Sequence, residues 1–290
     1  MQQFFEVLIG GMAQGAVYCV FAFGLSLVYG TTRILNFAHG SIYMMGAYIA
    51  WLLSAGYFGF NYAVVFAVLI PTLFLVGMLF EYIVVRPLRW GTNWKTTTMM
   101  ATLGLAFVID NFNLIVFGPG EKLLPPFVEG IVSVFGIVLS YHTILIFLFA
   151  IAIVVSLEMF LRWSRYGQAM RAVAQDMQGA SMVGINVNQI FAYAFGLSVV
   201  LAGVTGVLLA PIYLISPFGG WSPFLKAFVI VVFGGLGSTR GVFYAAFILG
   251  VIEAFVIFEI GAGWTMPVWL ATLLVVLMFR PQGLLGVWAR

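Results

Sequence analysis

Charge is what this sequence has least of. Asp, Glu, Lys and Arg make up 7% of its 290 residues, against about 25% in soluble domains, which excludes an ordinary water-soluble enzyme or binding domain. There is one cysteine, Cys19, inside an apolar run; no disulfide framework follows, and the residue reads as a small buried hydrophobe. The net charge is +3, yet Lys and Arg sit singly at loop positions, so the clustered basic patch that nucleic acid requires is missing. Catalytic signatures are missing as well. With no HExxH, GxSxG, cysteine cluster or paired catalytic carboxylates, neither an enzyme nor a metal or cofactor site is expected. Loops are short, so no ATPase, substrate-capture domain or regulatory tail is expected within 1–290, which reads as a single membrane domain.

What is abundant is hydrophobicity: 63% of residues are hydrophobic and mean hydropathy is +1.13. At about 20 residues per crossing, this predicts an all-α polytopic membrane protein of about eight to ten transmembrane helices. The ~10-residue alternating segments of a membrane β-barrel are not there. Apolar runs fall near 4–29, 41–56, 60–85, 97–118, 142–161, 188–215, 222–236, 241–260 and 264–280. The first has no basic n-region and is too long for a signal-peptide core, so it is read as a retained helix. Arg86, Arg89 and Lys95 share one loop, Arg162, Arg165 and Arg171 another, and Arg280 and Arg290 lie C-terminal. The positive-inside bias assigns these to the cytoplasm, which puts 119–141 and the N-terminus outside. Runs 222–236 and 241–260 are short and bracket GGLGSTRG (234–241); either is a candidate half-helix.

One polar island, 162–184, interrupts the hydrophobic pattern. Ala169, Ala172, Val173, Met177 and Ala180 recur at helical spacing, with Gln168, Arg171, Gln175 and Gln178 on the other face, an amphipathic pattern. Gly167 and Gly179 are the expected breakpoints of a helix of about three turns. A headgroup-lying helix would carry many basic residues on its polar face. Here that face has Arg171, Asp176 and glutamines, so a protein groove is the better expected seat.

A second polar interruption is GTTRILNFAHGS (30–41). It reads either as a cytoplasmic loop, with Asn36 capping a turn and His39 solvated, or as a helix break near the membrane interior. Irregular backbone is tolerated at that depth only where it lines a path or is buried in protein. Residues 234–241 offer a second such break, in which no P-loop lysine supports phosphate binding. Acidic residues within apolar runs are costly unless paired. Glu81 and Glu158 lie near the basic loops and are expected to pair locally. Asp110 and Glu253 are more interior, and either line a polar path or cap and pair. Gly11 with Gly15, and Gly206 with Ala210, have the spacing of close helix packing.

Six segments in order, VYGTTRILNFAHGSIYMMGAY (28–48), EYIVVRPLR (81–89), RYGQAMRAVAQDMQGASMVGINV (165–187), GVLLAPIY (206–213), VVFGGLGSTRGVFYAAFILGVIEA (231–254) and RPQGLLG (280–286), resemble the shorter, H-type membrane permease subunit of branched-chain (hydrophobic) amino acid ABC importers. The resemblance runs nearly end to end. It implies a ribose-type, type II-like permease fold with broken or re-entrant segments, and it makes 167–184 the cytoplasmic coupling helix. Gly167, Ala169, Arg171, Ala172, Ala174, Gln175, Asp176, Ala180 and Gly184 would then carry the ATPase contact. Asn36, Phe37, His39 and Gly40, with Gly234, Gly235 and Gly237, would border the substrate path. The implied partners are a second homologous permease, two cytoplasmic ABC ATPases that bind and hydrolyse the ATP, a periplasmic or lipid-anchored binding protein, and membrane lipid. Relatives carry urea, short amides or aromatic acids, and the length favours amino acids. The rival class, an ion-coupled secondary transporter or channel, requires a membrane-embedded titratable network, which the sequence reading does not find.

Overall fold

The computed structural model describes residues 2–56, 58–134 and 137–285; Arg290 and Gly286, named above, lie outside them. The helices are α1 (Gln2–Thr32), α2 (His39–Trp51), α3 (Tyr62–Phe80), α4 (Arg86–Leu88), α5 (Trp94–Phe117), α6 (Tyr141–Trp163), α7 (Arg165–Gln175), α8 (Met177–Met182), α9 (Val187–Leu209), α10 (Trp221–Gly234), α11 (Thr239–Glu259) and α12 (Thr265–Phe279). π-turns at Leu52–Gly56 and Glu81–Val85 extend α2 and join α3 to α4. Seven helical segments are long and apolar enough to cross a membrane. The protein is an all-α polytopic membrane protein.

Two of the nine apolar runs are not full-length spans among the described residues. Of the two suspected half-helices, α11 has 21 residues and reaches full length, whereas α10 has 14. The other short element is α2, with 13 residues before its π-turn. Within the loop 119–141 a hairpin was not anticipated: β1 (Ile131–Val134) pairs antiparallel with β2 (Ile137–Ser140), Ile131 opposite Ser140. Its Val and Ile residues suit a pleated ribbon.

The chain forms two compact units, one from Met1–Ser26, Pro126–Val154 and Leu225–Arg290, the other from Leu27–Pro125 and Val155–Phe224. In the second unit α9 is the buried centre, apolar around its whole circumference as a helix without a solvent face must be. Lipid offers no hydrophobic drive for helices to associate, so close backbone packing has to hold them. Glycines supply it. Gly46 of α2 lies against Gly203 of α9, Gly77 of α3 against Gly196, and Gly206 against the Tyr43 carbonyl. Beside them Val28, Ile34, Phe80, Val85 and Phe195 form one apolar cluster. In the first unit Gly11 and Gly15 of α1 abut Val251, Ala254 and Ala246 of α11. Both glycine spacings read from the sequence are therefore packing devices.

Candidate functional site

The segment after α1 is not a solvated loop. Asn36, Ala38 and His39 are fully buried, and the chain reaches α2 through an irregular stretch that begins with Arg33 at φ 59°. Local hydrogen bonds explain how buried backbone survives there. Thr32 Oγ1 accepts from Ile34 N at 3.2 Å, Asn36 Oδ1 accepts from Ala38 N at 3.1 Å, and Thr102 Oγ1 accepts from Phe37 N at 3.1 Å. Asn36 thus caps a turn, as one reading held, but the turn is buried in protein rather than solvated. His39 Nδ1 lies 3.4 Å from Ser198 Oγ, and the Phe37 ring meets Phe224 at 5.8 Å. Gly40 faces Gly220 backbone to backbone, and a Cβ at Gly40 would also come within 2.8 Å of Phe224 Cβ. Asn36, Phe37, His39 and Gly40 therefore form one packed knot with α5, α9 and the start of α10.

A polar layer continues from this knot along α5, whose buried face is Thr98, Thr102, Ala106, Asp110 and Asn113. Trp221 Nε1 donates to Asp110 Oδ2 at 3.0 Å. The amide atoms of Asn113 and the Tyr48 hydroxyl are buried with no hydrogen-bond partner among the described residues. Among the described residues Asp110 is thus neither a cap nor half of an ion pair. It accepts from an indole.

The polar island folds as two helices rather than one. Ser164 caps α7 by accepting from Gly167 N at 2.9 Å, and Asp176 caps α8 by accepting from Gln178 N at 2.9 Å. Each capped start ends the preceding helical run. The break is therefore Asp176, with φ −148° and ψ 107°, and neither Gly167 nor Gly179 is a breakpoint. Gly167 is inside the first turn of α7, where a Cβ would strike the Phe160 carbonyl. Gly184, at φ 85°, closes α8.

The faces differ from the expected ones as well. Gly167, Met170, Val173 and Ala180 turn inward. Ala169, Ala172 and Ala174 are half-buried, and Arg171, Gln175, Asp176, Met177, Gln178, Met182 and Val183 face outward. Arg171 donates to the Leu161 carbonyl and, at 3.4 Å, to that of Arg162. It caps the free carbonyls at the end of α6. One link was not foreseen: Arg33 Nη2 reaches the Ala174 carbonyl at 3.4 Å, tying α7 to the irregular segment.

Glycines 234, 235 and 237 belong to the first unit. There they make the tight turn from α10 to α11, with Gly235 at φ 104° and Gly237 at φ 80°. Gly234 packs directly on Gly241, and Leu284 N and Leu285 N donate to the Phe233 and Gly234 carbonyls at 2.8 and 3.1 Å. The turn needs glycine for positive φ and close approach, and it is filled by the terminal segment.

A family model described as the permease component of the branched-chain amino acid transport system matches residues 7–279. The chain belongs to this family. It is 34% identical to the high-affinity branched-chain amino acid transport system permease protein BraD of Pseudomonas aeruginosa, over 98% of this chain and 96% of that one. The permease proteins LivH of Salmonella typhimurium and Escherichia coli are each 30% identical over the same shares. A solved structure, PsaBC from Streptococcus pneumoniae in complex with Fab, aligns with 96% of this chain and 90% of that one at TM-score 0.46 and 14% identity, a likeness that carries no argument. The protein is thus a membrane transport subunit and not an enzyme.

One feature of this permease escaped the sequence reading of acidic residues, the partner of Glu253. Glu81, fully buried, accepts from both Arg86 and Arg89 at 3.0 Å, and Glu158 pairs with Arg162 at 2.7 Å; both local pairings were expected. Glu253 instead pairs with Lys226 at 2.5 Å, a lysine hidden within an apolar run. The sequence reading found no membrane-embedded titratable network. Lys226, Glu253 and Tyr18 form one, and its only advance signal was a lone lysine in run 222–236.

Proposed function

We propose that this chain is a permease subunit of an ATP-driven importer that carries branched-chain (hydrophobic) amino acids across the bacterial cytoplasmic membrane. In this reading the N-terminus lies outside and the C-terminus inside. Two ABC ATPases bind and hydrolyse the ATP, a second homologous permease completes the pathway, and a periplasmic or lipid-anchored binding protein delivers the substrate. The substrate class follows the names of the relatives. An apolar side chain on a zwitterion suits a chain so poor in buried charge, and a ribose-type permease architecture belongs to the same reading.

The observation that carries the proposal is the outward face of α7 and α8 together with its tether. Gln175, Met177, Gln178, Met182 and Val183 are exposed on a capped two-helix segment, with Met182 at 86% exposure. Exposed apolar residues grouped on a helical face are the usual form of a groove-docking helix. Arg33 links that segment to the knot at 34–40. Movement of α7 by an ATPase would therefore pull on Arg33 and shift Asn36, Phe37, His39 and Gly40, which border the substrate path in this reading. Arg171 acts by holding α7 to the end of α6, so the span and the docking segment move together.

Gln175→Trp with Met182→Asp tests the docking claim, because both residues are exposed and neither supports the fold. Loss of ATPase co-purification and of ATP-driven leucine uptake is expected. Retention of both would refute the docking surface. His39→Ala and Asn36→Ala are expected to change leucine uptake kinetics, and wild-type kinetics in both would remove them from the path. A solute panel of leucine, urea, short amides and aromatic acids separates the amino acid reading from its alternatives. The ion-coupled rival gains one feature from the Lys226–Glu253 pair, but among the described residues that pair is closed on itself rather than part of a carboxylate chain.

A further inference from the structure

In the first unit the side chains of α1, α10, α11 and α12 meet at an ion pair that the transport reading leaves unused. Lys226 Nζ donates to Glu253 Oε1 at 2.5 Å and to Tyr18 OH at 2.8 Å. Gln14 Nε2 donates to the same hydroxyl at 2.8 Å. The Tyr18 and Trp269 rings, edge to face at 5.6 Å, hold the ammonium at 5.1 and 5.7 Å from their centroids, within cation–π range. The other ion pairs lie at the end of α3, between Glu81 and its arginines, or on the exposed flank of α6. This one sits within apolar helices, where ionisable side chains are costly and as a rule functional.

Two atoms of the cluster are left over. Glu253 Oε2, an acceptor, and Trp269 Nε1, a donor, are buried with no hydrogen-bond partner among the described residues. Buried polar atoms of native proteins are nearly always satisfied, so each exception asks for a missing partner. Lys226 keeps 12% of its side chain accessible while Glu253 keeps 3%, so the cluster is approached from the lysine side.

We infer that the Lys226–Glu253 pair with Trp269 is a recognition site for the two charged ends of a zwitterionic α-amino acid. Lys226 Nζ and Trp269 Nε1 receive the substrate carboxylate, and Glu253 Oε2 receives the substrate ammonium. The chemistry is an exchange of partners. One internal pair of opposite charges opens, and two pairs with the substrate replace it, so net charge within the membrane is zero before and after. A single unpaired charge at that position would instead face the full desolvation penalty. The inference rests on the amino acid reading above and adds to it the residues that hold the backbone ends common to every α-amino acid.

The alternatives are a structural staple between helices and a buried water bridging Nε1 to Oε2. Equilibrium binding of radiolabelled leucine to the purified permease–ATPase assembly, without the binding protein, separates them. Saturable binding is expected, with leucinamide (no carboxylate) and 4-methylpentanoate (no ammonium) each competing about tenfold less well, as expected for a lost charged hydrogen bond. Trp269→Phe removes the unpartnered donor and keeps one aromatic ring in place of the indole, and is expected to weaken leucine binding about tenfold. Lys226→Met with Glu253→Met replaces the pair by apolar side chains, which folded proteins commonly tolerate, and is expected to abolish discrimination among the three ligands.

Wild-type binding in Trp269→Phe overturns the inference even if the double variant does not fold. Absence of saturable binding in the wild type also overturns it, as does undiminished discrimination in the double variant. Leucine uptake by the complete wild-type system, measured in parallel, keeps the two failures apart. Uptake without binding at this pair refutes only the site, whereas no amino acid uptake at all refutes the proposed function.

Discussion

Gly40→Ala should damage this protein where Gly104→Ala improves it, although both add one methyl group to a glycine of the same unit. Gly40 opens α2, and a Cβ there would run into the Gly220 carbonyl oxygen, to within 2.8 Å of Phe224 Cβ and to 3.0 Å from the Gly220 carbonyl carbon. Two of these three obstacles are backbone, which cannot rotate away. Overpacking of that kind costs about 1–3 kcal/mol. Gly104, mid-helix in α5, has nothing within 4 Å of an added Cβ, so the substitution there should gain about 0.5–1 kcal/mol of helix propensity. The two variants should therefore differ by about 1.5–4 kcal/mol, seen as a thermal midpoint lower by several °C for Gly40→Ala in detergent followed by tryptophan fluorescence. Gly220→Ala should resemble Gly40→Ala. The double variant should cost less than the sum, because one opening of the gap relieves both contacts. Equal midpoints for Gly40→Ala and Gly104→Ala would refute the close backbone approach that fixes the segment carrying Asn36 and His39.

The ion pairs at the ends of α3 and α6 should differ in the same instructive way. Arg89→Ala leaves fully buried Glu81 with one arginine and should cost about 3 kcal/mol, whereas Arg162→Gln, whose pair with Glu158 is exposed, should cost less than about 0.5 kcal/mol; chemical or thermal unfolding of both variants checks the contrast. Tyr48→Phe removes a buried hydroxyl with no partner among the described residues and keeps the ring stacked on Phe117 at 4.4 Å, so it should be neutral or slightly stabilising, and a loss above about 1 kcal/mol would reveal a missing partner.

Some of this was readable without coordinates. Glu81 with Arg86 and Arg89 was readable because the partners are five and eight residues apart, so the sequence neighbourhood is the spatial one. Lys226 with Glu253, 27 apart, and Asp110 with Trp221, 111 apart, depend on how helices pack, and apolar runs carry no record of their neighbours. Asn36 was left between capping a loop and lying in the membrane because the residue types fit both; the turn it caps is buried in protein. Glycine was the recurrent difficulty. Gly235 and Gly237 adopt positive φ, whereas Gly167 and Gly40 are places where another backbone comes close, and a sequence writes both needs with the same letter. The break at Asp176 was hidden for the related reason that an N-cap in mid-pattern looks like one polar residue among several.

The central claim is that energy enters this permease from outside, through α7 and α8. ATP-dependent leucine uptake in proteoliposomes tests it most directly, with the chain reconstituted alone and with the proposed second permease, ATPases and binding protein. Uptake that requires ATP and all partners, and that is lost with Gln175→Trp and Met182→Asp, is the predicted result. Leucine uptake by this chain alone, driven by an ion gradient and indifferent to those substitutions, would contradict it.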